Sequence, residues 1–185
     1  DFSDANTDNT NEPGDLADPK WIAGCDATSS QQTECSDGNF DPDDGDGHGT
    51  HVAGIALGTG DSEREHIGYS PGSYLVDVKV LNDIGTTNSA VTLKGINWVA
   101  NNADTDWGNN ESSRGIDVMS MSFGSISNPG GDDQGDDGQN ADARAVNQAV
   151  EAGIVAVAAI GNDGSNRVTS VGAADKAITV GAIDE

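Results

Sequence analysis

Residues 48–54 read HGTHVAG, and an apolar run, VAGIAL, continues to residue 57. Because the apolar residues follow the small-residue turn without a break, the stretch predicts a helix that starts at His48 or Gly49. A histidine at that place is held rigidly and remains reachable. Since imidazole titrates near neutral pH, it can take a proton from a nucleophile and pass it to a leaving group. An isolated histidine would more often cap the helix or satisfy buried carbonyls.

Four apolar, β-branched runs lie further along the chain, at residues 75–81, 116–123, 154–160 and 177–183. Such runs are typical of strands buried on both faces. Two helical patterns separate them. Ser89 is placed to cap the first, and Asn140 the second, which Gly153 ends. The alternation predicts an α/β fold with a parallel sheet and functional groups at the carboxyl ends of the strands.

The charge of the chain limits its partners. It has 32 acidic and 8 basic residues, a net charge of −24, which argues against nucleic acid or an anionic membrane as a partner. High charge with only 4% aromatic residues is also typical of disorder. The apolar runs argue for a folded core instead, and 185 residues are enough to bury one. No run resembles a membrane span or a signal peptide.

The HGTHVAG string resembles the histidine motif of the subtilases, the serine endopeptidases of the subtilisin type. Three further segments resemble motifs of that family in the family's order: GYSPGSYLVDVKVL at residues 68–81, DVMSMSFG at 117–124 and AAIGNDG at 158–164. The similarity spans residues 37–184. It implies a subtilisin-like α/β fold of three layers, a mostly parallel sheet with helices on both faces.

The resemblance also implies a catalytic role for two residues. Subtilases cleave peptide bonds with an Asp-His-Ser triad, met in that order along the chain. His48 takes the place of the base, with His51 as its structural neighbour. Asn162 takes the place of the oxyanion donor, because its uncharged amide lies on a tight turn. A turn-forming role for Asn162 is the alternative.

Substrate binding in the family adds the peptide as a strand to exposed backbone edges. The matching edges here are Ser122-Phe123-Gly124 and Gly85-Thr86-Thr87, with Ile160 and Gly161 beside Asn162. Phe123 and Ile160 are larger than the residues common in the family. Either they reshape the pocket for the residue before the scissile bond, or they pack in the core.

Two parts of the triad are missing from residues 1–185. The family's serine lies in a G-T-S-M-A turn and its aspartate in a D-T-G-I-D string, and neither occurs here. We therefore expect residues 1–185 to be an incomplete subtilase catalytic domain that lacks the serine-bearing C-terminal part and the aspartate-bearing N-terminal strand, and to be inactive alone. The rival hypothesis is a non-catalytic subtilase-like module with a binding or structural role.

Cysteines and aspartates complete the predictions. Cys25 and Cys35, in a polar stretch, pair most simply as a disulfide in an exported protein, with free thiols as the alternative.

We expect no cofactor for catalysis. Structural calcium is a candidate at two clusters, with a solvated acidic surface as the alternative: Asp41, Asp43, Asp44 and Asp46, and Asp132, Asp133, Asp136 and Asp137.

The remaining expectations concern the setting in which the protein works. Its predicted partner is a polypeptide substrate, and we expect a monomer that is secreted to the extracellular space. The acidic surplus is typical of a halophile, because such a surface repels itself in dilute buffer and is relieved by salt.

Overall fold

The structure, a computed structural model, describes residues 20–29, 35, 42–61, 63–107, 114–126, 137–163 and 167–183. Within these residues strands and helices follow in this order: β1 (Lys20–Asp26), α1 (His48–Leu57), β2 (Tyr74–Lys79), α2 (Ser89–Asn101), β3 (Val118–Met121), α3 (Ala141–Glu151), β4 (Val155–Ala159) and β5 (Ile178–Val180). All pairs among these strands are parallel, so the predicted α/β class is confirmed. The chain divides into two compact units, Asp1–Val91 and Thr92–Glu185.

The first unit contains a strand that the sequence analysis missed. β1 pairs with β2 from Lys20↔Tyr74 to Asp26↔Lys79. The apolar residues 21–25, WIAGC, are the signal that could have found it. Cys25 is fully buried in this strand, although the residues between it and Cys35 are mostly polar. The predicted Cys25–Cys35 disulfide is confirmed, with an S–S distance of 2.01 Å.

The second unit contains a three-stranded sheet in the order β3-β4-β5. Its register runs from Val118↔Val155 to Met121↔Ala158, and from Val157↔Ile178 to Ala159↔Val180. α3 packs on β4 through its apolar side. The buried residues of α3, of β4 and of the turn between them include Ala143, Val146, Ala149, Ile154, Ala156 and Ala158.

The helix starts agree with the sequence in two cases out of three. α1 starts at His48, as expected. Asn140 caps α3 by accepting a hydrogen bond from the Ala143 N–H at 2.8 Å. Ser89 is not the cap of α2. Instead the Asn88 side chain accepts from the Ala90 and Val91 N–H groups at 3.0 and 3.3 Å, because a carboxamide one residue earlier reaches both amides.

The expectation that all strands are buried on both faces was also wrong. In β3, Met119 and Met121 are buried, but Val118 is 57% exposed. The three residues of β5 are all exposed. Successive side chains of a strand point to opposite faces, so in β3 one face is covered and the other is open.

Candidate functional site

His48 is the first residue of α1, and its side chain is exposed. Gly47 turns the chain into the helix with φ 89°, a left-handed conformation that glycine adopts without steric cost. His51 is exposed as well and lies on the same side of the helix, because residues three apart are neighbours there. The structure therefore confirms the placement of a reachable histidine at a helix start.

Asp44 fixes that helix start from outside the helix. Its Oδ2 accepts hydrogen bonds from the Thr50 N–H at 2.8 Å and the Thr50 hydroxyl at 2.7 Å. Its Oδ1 accepts from the Gly47 N–H at 2.9 Å and the Asp46 N–H at 3.3 Å. Since Gly47 has no side chain, Asp44 satisfies the free amide of the first turn in its place. The sequence analysis assigned Asp44 to a calcium cluster and missed this capping role.

These hydrogen bonds change the pKa of the Asp44 carboxyl. Partial burial raises the pKa of its carboxyl, but the bonds from Thr50, Gly47 and Asp46 together lower it by more, so the pKa lies below its ordinary value of 3.8. Because the pKa is lower in the folded state, the contribution of Asp44 to stability is fully present above that ordinary value. It is lost as the pH falls through the lowered folded-state pKa.

We therefore expect Asp44→Ala to lower the free energy of unfolding by about 0.5–2 kcal/mol at pH 7 and by less at pH 3, since the cap is weakened there in the parent as well. The measurement is urea unfolding followed by circular dichroism at both pH values. Asp104→Ala, at an exposed aspartate, removes the same charge as a control. An Asp44→Ala effect no larger than that of the control would contradict the cap.

Lys79, at the end of β2, joins the loop before His48 to the loop that holds Gly85. Its Nζ donates to the Asp43 carbonyl oxygen and to the Asp83 carboxylate, each at 2.5 Å. Partial burial lowers the pKa of Lys79, but the hydrogen bond and charge of Asp83 raise it more, so it lies above 10.5 and the ammonium stays charged. A Cβ placed on Gly85 would lie 3.1 Å from Asp46 Oδ2, which confirms that the two loops are close.

The loop of Gly85 and Thr86 is organised by Asn82. The Asn82 Oδ1 accepts from the Ile84 N–H, the Thr86 N–H and the Thr86 hydroxyl at 3.0–3.2 Å. The Asn82 N–H donates in turn to the Thr86 carbonyl at 2.9 Å. Both backbone groups of Thr86 therefore already have partners inside the loop. The substrate-binding role of Gly85 and Thr86 stays a prediction.

The second unit brings the other predicted site segments to one edge of its sheet. Residues 122–124, Ser122-Phe123-Gly124, follow β3, and residues 160–162, Ile160-Gly161-Asn162, follow the parallel neighbour β4. Ser122 and Asn162 are exposed, Phe123 is half-buried and Ile160 is 37% exposed. Carboxyl ends of adjacent parallel strands are where α/β proteins place functional groups. Neither Phe123 nor Ile160 is fully buried, so only part of the surface of each side chain packs against the core.

Thr169 connects these two segments, and the sequence analysis missed it. It is 4% exposed. Its N–H donates to the Ile160 carbonyl at 3.0 Å, and the next residue, Ser170, donates its N–H to the Ser125 carbonyl at 2.7 Å. Nothing local in the string TSVG at residues 169–172 signals these contacts.

The predicted calcium clusters are only partly within the described residues. Asp41, Asp132, Asp133 and Asp136 lie outside them. Asp137 Oδ1 accepts from the Gln139 N–H at 3.0 Å. A different group, Asp61, Glu65 and His66, places its ligand-type atoms within 4.8 Å of one another beside a cleft of about 610 Å³. All three are exposed, and exposed carboxylates often lie this close without an ion, so calcium binding stays a prediction.

Comparison with known protein families identifies the family of this chain. The family described as "Subtilase family" matches residues 17–185. The chain belongs to the subtilase family. The subtilase resemblance of the four motifs is thereby confirmed, and the part matched includes both His48 and Asn162.

Two individual relatives support the assignment of the chain to the subtilase family. It is 37% identical to "Serine protease AprX" of Bacillus subtilis (strain 168) over 150 residues, which cover 78% of this chain and 31% of AprX. It is 36% identical to "Subtilisin DY" of Bacillus licheniformis over 145 residues, which cover 76% of this chain and 44% of that protein. The chain therefore spans less than half the length of either relative.

A solved structure supports the subtilisin-like fold. "Sphericase" superposes with a TM-score of 0.67 at 32% sequence identity, covering 86% of this chain and 46% of that one. The predicted fold class of this subtilase is thereby confirmed. Among the described helices, none is long and apolar enough to cross a membrane.

Proposed function

We propose that the protein containing this chain is a serine-type endopeptidase that hydrolyses peptide bonds through an Asp-His-Ser triad, with His48 as the base. The observation that carries the proposal is the exposed His48 at the start of α1, in a chain that matches the subtilase family over residues 17–185. The motifs for the serine and the aspartate do not occur in residues 1–185. We propose that the full-length protein supplies both.

In the proposed mechanism the peptide binds as an added strand along the edge at residues 122–124. The His48 imidazole takes the proton from the serine hydroxyl as the oxygen attacks the scissile carbonyl, and it gives that proton to the amine as the peptide C–N bond breaks. Water, deprotonated by the same imidazole, then hydrolyses the acyl-serine bond and restores the serine hydroxyl. The amide of Asn162 donates a hydrogen bond to the carbonyl oxygen as it becomes negative. The exposure of both side chains supports these roles, because each has to meet the substrate.

The experiment that tests the function uses the full-length protein and a peptide with an internal scissile bond. Hydrolysis of that bond, together with covalent labelling of one serine by a fluorophosphonate, is the expected result, since activated serines react with such reagents. A folded full-length protein that neither cleaves nor takes the label would favour the rival, non-catalytic module. Its sequence would then be expected to lack the G-T-S-M-A and D-T-G strings.

We further propose that this protease is secreted, is monomeric and works in concentrated salt. The net charge of −24 and only four lysines support the last point. The Debye length falls from about 10 Å at 0.1 M salt to about 3 Å at 1 M, so carboxylates no longer repel one another beyond direct contact.

We expect the midpoint of thermal unfolding to rise by at least about 5 °C between 0.1 and 3 M NaCl, because salt screens the repulsion between carboxylates. Circular dichroism of the full-length protein measures it. The same series with calcium is the control, because structural calcium sites would instead give a rise that saturates at millimolar calcium. A midpoint that is flat or falls with NaCl would contradict adaptation to salt.

A further inference from the structure

Thr169 holds the end of β4 through two hydrogen bonds and makes a third with Gly172. Its hydroxyl donates to the Ala159 carbonyl at 2.7 Å, and its N–H donates to the Ile160 carbonyl at 3.0 Å. The same hydroxyl oxygen accepts from the Gly172 N–H at 3.1 Å. Ala159 and Ile160 are the two residues directly before Gly161-Asn162. The backbone that leads into the proposed oxyanion donor is therefore held by one buried residue, through its hydroxyl at Ala159 and its N–H at Ile160.

The same side chain touches both site segments. A Cβ placed on Gly124 would lie 2.5 Å from the Thr169 Cβ, and a Cβ placed on Gly161 would lie 3.2 Å from the Thr169 Cγ2. Gly124 therefore tolerates no side chain unless something shifts, because Thr169 fills the space. Ser170 adds the hydrogen bond to Ser125 at 2.7 Å. Residues 169 and 170 thus link the proposed substrate edge to the turn that carries Asn162.

This link is itself anchored on a helix. The Ser170 hydroxyl donates to Asp142 Oδ2 at 3.0 Å in a buried contact, and the Asn140 side-chain amide donates to the Ser170 carbonyl at 3.2 Å. Asn140 caps α3 and Asp142 lies in its first turn. Sites held by regular elements are more precise than sites held by loops alone.

We propose that Thr169 is a positioning residue for catalysis: through its hydroxyl it holds the Gly161-Asn162 turn so that the Asn162 amide meets the developing oxyanion. The inference rests on the proposed function. Gly161, at φ 116°, has no side chain to restrict the backbone of the turn. Contacts with other residues therefore have to fix the conformation of the turn. Oxyanion donors are effective only when they are preorganised, and displacements of about 1 Å can cost a hundredfold in rate.

The test compares Thr169→Val, which removes the hydroxyl and keeps the shape, with Thr169→Ser, which keeps the hydroxyl. In the full-length protease we expect Thr169→Val to lower kcat by about ten- to a hundredfold with KM changed by less than about threefold. Thr169→Ser should stay within about fivefold of the parent. Thr179→Val is the matched control: it removes a threonine hydroxyl that donates to the Gly172 carbonyl at 2.6 Å and leaves the turn's own bonds intact.

A double-mutant cycle with Asn162→Ala separates positioning from a general structural role. If Thr169 acts through Asn162, Thr169→Val should lower kcat little further once Asn162 is absent. Thr169→Val with an unchanged kcat, or with the same loss of kcat in both backgrounds, would overturn the inference. A loss of thermal stability alone, equal to that of Thr179→Val, would also overturn it.

A second readout does not depend on activity. Amide hydrogen exchange at residues 160–162 of this chain should become faster in Thr169→Val and stay near the parental rate in Thr169→Ser and Thr179→Val. If the full-length parent cleaved no peptide, the proposed function would fail, and this measurement would still decide whether Thr169 holds the turn. Unchanged exchange in Thr169→Val would contradict the inference whatever the activity.

Discussion

Replacing His48 with alanine in the full-length protein should lower kcat for peptide hydrolysis by about a millionfold, the scale measured for removal of a triad residue from a subtilisin. The physical reason is that no other group then takes the proton from the serine, and only binding and oxyanion stabilisation remain. The fold should survive. His48 is exposed at the first position of α1, and alanine favours the helix.

The measurement is release of a chromophore from a peptide substrate, with circular dichroism to confirm that the variant is folded. His51→Ala is the matched control, since it removes an exposed histidine three residues along the same helix. We expect it to keep activity within about tenfold of the parent, because His51 is not the proposed base. A folded His48→Ala enzyme that worked at the parental rate would show that another residue is the base.

The second large effect is expected for Asn162→Ala, which should lower kcat by about two to three orders of magnitude with little change in KM. That magnitude is the one measured for an oxyanion donor in a subtilisin. KM should change little because the hydrogen bond forms mainly in the transition state. Stability should change little as well, since the side chain is exposed on its turn.

Asn162→Asp provides the matched comparison for this prediction. It keeps the size of the side chain but brings a negative charge towards the developing oxyanion, so kcat should fall at least as far as in Asn162→Ala. Steady-state kinetics of both variants in the full-length protease give kcat and KM separately. A large rise in KM with kcat preserved would assign Asn162 to binding of the ground state.

Much of the fold could be predicted because its signals are local. The start of α1 at His48, the Asn140 cap of α3 and its end near Gly153 depend on groups within a few residues of one another. The approximate positions of β2 to β5 followed from their apolar runs. The disulfide followed because the chain has only two cysteines. β1 was missed because its short apolar run is flanked by polar residues.

The sequence by itself determined which residues are candidates: the four motifs identified the subtilase family and, with it, His48 and Asn162. Only the tertiary structure decided how they are held. Thr169 reaches Ala159 across ten residues and Gly124 across forty-five. Such contacts depend on where separate elements meet, and neither periodicity nor turn chemistry encodes that. The open face of β3 has the same origin, because burial depends on which elements cover a strand and not on its own apolar residues.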